Sequence, residues 1–126
     1  MAIEIPEVDV NSGLGLCDGN MEIYLNALRL YVSSVSANLE KMRGVSEETL
    51  KDYSVTVHSV KSTSEYIGAE EARKTAKQLE SMARNGDWAG VLARNEAFIQ
   101  YAQGLVDGIR NWLENRNQGA GDGGHC

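Results

Sequence analysis

A chain of 126 residues, 42% apolar and 24% charged, suits one domain with one modest core, and no stretch approaches the roughly 20 apolar residues of a membrane-spanning helix. Its formal charge of −6, from 18 acidic against 12 basic residues, argues against nucleic acid as the main partner, because neutralising phosphates needs a clustered basic excess. "MAIEIPEVD" lacks the basic start and apolar run of a secretory signal, and Cys17 and Cys126 stand far apart without a CxxC partner, so a reduced, cytoplasmic setting is expected.

The first seven residues, with Pro6 among acidic neighbours, read as a linker or leader, and "VDVNSGLGLCDGN" (8–20) as a lead-in with room for one short helical turn. From there the periodicity is helical throughout. Over about 20–42, Met21, Leu25, Leu28, Val32, Val35, Leu39 and Met42 recur in steps of four and three, with Gly44 as a stop. A second helix runs from Ser46, its N-cap, to about Tyr66, with Leu50, Tyr53, Val57, Val60, Ser64 and Ile67 inward and Glu47 and Glu48 in its first turn. Gly68 ends it. A third follows over about 69–85 on Ala72, Ala76, Leu79 and Ala83, up to Gly86. Asp87 caps a fourth, about 88–114, carrying Trp88, Val91, Leu92, Phe98, Ile99, Ala102, Leu105, Val106, Ile109, Trp112 and Leu113, with Asn95 interrupting the stripe. Connections this short force antiparallel neighbours, so the fold expected is an all-α, up-down-up-down four-helix bundle over residues 8–115. The Gly-rich stretch 116–126 is expected to be a flexible, disordered tail; its His125 and Cys126 are too few ligands to make a defined metal site.

His58 is the histidine of the folded part. At 100° per residue it lies about 130° from the centre of the second helix's inner arc. Val55, His58, Ser62 and Glu65 then share one exposed ridge, with Lys61 at its flank. A histidine so placed is ordinarily a surface residue. Metal binding would want a better ligand at i+4 than Ser62, and a hydrolytic Ser-His pair would want an orienting acid and an oxyanion loop that the sequence does not offer. The chemistry left is attack on phosphorus, which needs an exposed imidazole, a nearby cation and small neighbours.

"HSVKSTSEYIGAEEARKTAKQLESMARNGD" resembles the histidine-containing phosphotransfer (HPt) domain of bacterial multistep phosphorelays. His58, Lys61, Ser62, Ser64, Gly68, Ala69, Leu79, Glu80, Gly86 and Asp87 fall in the family's register, and the resemblance extends over about residues 8–113. Ser62 departs from it: the residue after the lysine is usually glycine, and serine adds only a hydroxymethyl group. The resemblance implies a phosphoryl carrier without kinase or ATPase activity of its own. His58 Nε2 would take the group from a receiver-domain aspartate and pass it to another, with Mg²⁺ supplied by the receiver and no cofactor or metal of the carrier's own.

In the same terms Glu80 would hold Nδ1–H and leave Nε2 free, Lys61 would offset phosphoryl charge, and Val55, Ser62 and Glu65 would belong to the face on which a response-regulator receiver docks. The competing reading of Glu80 is a solvated residue paired with Lys77 or Arg84. For the whole chain the competing readings are a helical adaptor that binds receivers without phosphotransfer, and a dimerising scaffold like that of histidine kinases. The second fits poorly, because Ser59 stands where an acid would follow the histidine and four helices close a monomeric core. The lead-in leans toward one end of a hybrid sensor kinase over a free-standing carrier.

Overall fold

The computed structural model describes residues 8–123, with side chains described as far as residue 115. The expected linker at 1–7 lies outside the described residues, as do the side chains of the expected flexible tail at 116–126. The elements are α1 (Val10–Leu16), α2 (Met21–Arg43), a 3₁₀ turn at Glu47–Thr49, α3 (Leu50–Ile67), α4 (Glu70–Arg84) and α5 (Trp88–Gly123). No strand occurs among the described residues. Helix α5 extends beyond the end expected near 114, and α1 is longer than the single turn expected of the lead-in.

Local chemistry sets most of these boundaries. Asp9 and Asn20 cap α1 and α2 by accepting the amides of Ser12 and Ile23, each at 3.1 Å. Ser46 and Thr49 close a reciprocal box, the Ser46 amide donating to Thr49 Oγ1 at 2.8 Å, but the box caps the 3₁₀ turn, so α3 proper begins four residues after Ser46. Asp87 accepts the Gly90 amide at 2.9 Å and opens α5. Gly44 ends α2 at an ordinary φ of −90°, whereas Gly68 ends α3 at φ +87°, in the left-handed region that glycine enters without penalty.

Helices α2 to α5 form a closed ring: α2 packs on α3, α3 on α4, α4 on α5 and α5 back on α2. All six inward positions expected of α3 are buried, as are all four expected of α4. In α2 the inner face is wider than expected. Tyr24, Ala27 and Tyr31 are buried with Leu25, Leu28, Val35, Leu39 and Met42, while Met21 and Val32 are only half-buried. Leu92 is the misplaced member of α5. It is 64% exposed, because it lies one residue, or 100°, past buried Val91 and off the line through Asn95, Phe98 and Ala102.

Asn95 is buried for a reason the periodicity does not contain. Its Nδ2 donates to the Met42 carbonyl at 2.9 Å, one of the acceptors left open by the end of α2, and its Oδ1 accepts the Tyr53 hydroxyl at 2.8 Å. One amide thus ties α2, α3 and α5 together. Two more phenols bridge α2 and α3: Tyr31 shares a 2.9 Å hydrogen bond with Ser64 Oγ, and the Tyr24 hydroxyl donates to the Ile67 carbonyl at 2.8 Å. Burial raises both phenols to about 12. Cys17 and Asp9 push Tyr24 further in that direction, and Ser64 pulls Tyr31 back a little, so both stay protonated near neutrality. No buried side-chain polar atom among the described residues lacks a partner.

The lead-in closes the end of the bundle beyond His58. The Asp9 amide donates to the Gly68 carbonyl at 2.7 Å, and Gly13 packs where a Cβ would run into Tyr24 and the Ile67 carbonyl. A Cβ at Gly68 would in turn strike the Asp9 backbone. Gly68→Ala therefore carries both a steric clash and a left-handed strain, and we expect it to cost roughly 1–3 kcal/mol, read as a lower urea midpoint at unchanged slope. A midpoint equal to wild type would show that neither the approach of Asp9 nor the left-handed backbone constrains position 68.

Candidate functional site

Val55, His58, Ser62 and Glu65 all lie on the exposed side of α3, Val55 at 67% exposure. Lys61, three residues after His58, is half-buried against α4. The site is completed by α4, which presents Glu80 toward these two residues.

Glu80 is not the solvated face residue of the competing reading. Its side chain is 5% exposed; it accepts hydrogen bonds from His58 Nδ1 and Lys61 Nζ, each at 2.8 Å, and is ion-paired with Arg84 Nη2 at 2.7 Å. Nδ1 and Arg84 share Oε2, while Lys61 takes Oε1. Of the two residues offered as pairing partners within α4, Arg84 does pair with Glu80; Lys77 makes no ion pair among the described residues. Burial by itself pushes the Glu80 carboxyl up. Hydrogen bonds from Lys61 and His58, with the charges of Lys61 and Arg84, more than offset that and leave it below the ordinary carboxylate range.

An ionised carboxylate only accepts hydrogen bonds, so a neutral His58 bonded to it carries its proton on Nδ1. Nε2, across the ring, then holds the free lone pair, and the side chain is 50% exposed. Beside it lies a shallow, open depression of about 310 Å³ lined by Lys61, Lys77, Glu80, Ser81, Arg84 and Asn85.

An all-α ring of four helices that displays a half-exposed imidazole held from behind by a buried carboxylate is a scaffold for presenting one nitrogen base to a large reactant. The Hpt domain family model matches residues 26–119, and the chain belongs to that family. The family acts in phosphorelay histidine phosphotransfer with receiver domains, its members being phosphocarriers rather than kinases. The matched region starts within α2, so α1 and the lead-in, which the sequence resemblance included, lie outside it. No curated protein and no solved structure matches the chain. Among the described residues no helix is long and apolar enough to cross a membrane.

The burial of Glu80 was the feature least visible in the sequence. One signal pointed to it: Glu80 follows Leu79 directly and stands four residues after Ala76 and three before Ala83, at the edge of the inner stripe.

Because the folded-state pKa of Glu80 is depressed, its ionisation contributes stability above the unfolded carboxylate value, and that contribution is lost as pH falls through the folded value. Wild type should lose stability through this acidic window, and Glu80→Gln should show a flatter acid limb in urea midpoints measured from pH 7 downward. Parallel acid limbs for the two proteins would mean that His58, Lys61 and Arg84 do not hold the charge.

Proposed function

We propose that His58 is the phosphoacceptor of this Hpt domain, taking a phosphoryl group from the aspartyl phosphate of one receiver and passing it to the aspartate of another. The observation that carries the reading is the 2.8 Å bond from Nδ1 to buried Glu80, which leaves the opposite nitrogen of a half-exposed ring as the base. In the forward step the Nε2 lone pair forms the N–P bond, the O–P bond breaks, and its electron pair leaves with the receiver's carboxylate. The Nδ1 proton stays in place throughout. The ring gains positive charge as the N–P bond forms, and the Glu80 carboxylate at Nδ1 stabilises it. The second transfer is the same step reversed onto another aspartate.

Lys61 is the cation for the phosphoryl oxygens. Its 2.8 Å bond to Glu80 Oε1 parks the ammonium beside the ring, where it can turn outward as negative charge arrives. The receiver supplies Mg²⁺ and the pocket that aligns the phosphorus, so this chain needs only to hold one nucleophile still. Val55, Ser62 and Glu65 form the docking ridge beside it, Ser62 small enough for close approach. Four helices closing one core within a single chain suit a monomeric carrier, and receiver partners suit a cytoplasmic one.

The test is label transfer from a phosphorylated receiver. Wild type should acquire an acid-labile, base-stable adduct, His58→Gln none, and Lys61→Ala the same adduct at a rate lower by at least about ten-fold with helicity intact. Labelling of His58→Gln at the wild-type level would remove His58 from the reaction, and an unchanged rate for Lys61→Ala would remove the lysine from its role.

A further inference from the structure

The depression next to His58 is basic in a chain that is otherwise acidic. Lys61, Lys77 and Arg84 stand around it with Glu80 as the single carboxylate, so three positive charges against one negative give it a formal +2 within a chain of net charge −6. The three cations are not equivalent. Lys61 and Arg84 are both engaged with Glu80, and each must release that carboxylate to serve another anion. Lys77 is exposed and makes no ion pair among the described residues, although it stands three residues before Glu80, a spacing at which pairing is ordinary. The carboxylate it would take is turned inward and already engaged by His58, Lys61 and Arg84.

A cation left unpaired beside a reactive group fits a role outside its own chain. The reacting face of the incoming partner carries negatively charged groups. A face that holds Mg²⁺ against a phosphoryl group does so with carboxylates, and the aspartyl phosphate adds its own charge. The geometry points to Lys77 as a specificity-determining residue that pairs with an acidic side chain at the edge of the receiver's phosphorylated pocket; this rests on the reading of His58 as phosphoacceptor. In a chain of net −6, an acidic partner is repelled at long range, and the basic depression is where that repulsion reverses. Lys77 thereby orients the receiver with its acidic edge over α4 and its phosphorus over α3, and receivers lacking that acid bind more weakly.

The experiment uses the full chain and, from a panel of receivers phosphorylated with acetyl phosphate and Mg²⁺, the receiver that transfers fastest to it. Lys77→Glu should raise the half-saturating receiver concentration about ten-fold or more while the plateau transfer rate changes little, since a rim charge acts on encounter and not on the chemical step. Lys77→Arg should restore the wild-type value, and added salt should weaken wild-type transfer more than that of Lys77→Glu. Wild-type half-saturation in Lys77→Glu, or a loss confined to the plateau rate, would overturn the assignment. Phosphoramidate, a small donor that needs no docking surface, separates the two readings. If it labels His58 while the Lys77 substitutions leave half-saturation unmoved, only the role of Lys77 fails; if neither donor labels His58, the phosphoacceptor reading falls and the role of Lys77 with it.

Discussion

A carboxylate taken out of water between two helices must either find donors or give up its charge, and the site around His58 is organised by how Glu80 meets that constraint. Its three partners come from α3 and α4, so the charge stays ionised only while those helices keep their register. The imidazole is therefore positioned by the bundle as a whole. Its ring faces water, but its Nδ1 is held by a buried carboxylate that Lys61 and Arg84 also engage.

That dependence explains why so much of the chain is spent on fixing α3 against its neighbours. Tyr31 and Tyr24 tie α3 to α2, Tyr53 reaches Asn95 on α5, and Gly68 with Ala69 keeps the passage from α3 to α4 short. Each of these buried hydroxyls must be satisfied to be tolerated, and satisfying it limits sliding between helices. The small residues of α4, Ala72, Ala76 and Ala83, complete the arrangement by letting it approach α3 closely, close enough for Glu80 to reach both His58 and Lys61.

The helices were legible in the sequence because their signals are local. Apolar steps of three and four, Asp87 as a cap and Gly68 as a stop each act within a few residues. His58, Lys61 and Glu80 were legible as residues at a spacing, and the structure adds that they touch. What the sequence withheld depends on partners far along the chain. Asn95 looks like a fault in an apolar stripe until Met42, 53 residues away, supplies the carbonyl it caps. Leu92 looks inward until the azimuth of α5 is set by its packing on α2 and α4. Glu80 carries two readings in the sequence, a partner of His58 or a solvated residue paired with Lys77 or Arg84, and only its packing against α3 decides between them.

We propose that Glu80 fixes the proton of His58 on Nδ1. Nitrogen-15 NMR of the imidazole above its titration range tests it directly. Wild type should show a protonated, pyrrole-type Nδ1 and an unprotonated, pyridine-type Nε2, with Glu80→Ala shifting the ring toward the tautomer mixture of a free histidine. A wild-type ring protonated on Nε2, or a mixture unchanged by Glu80→Ala, would contradict it.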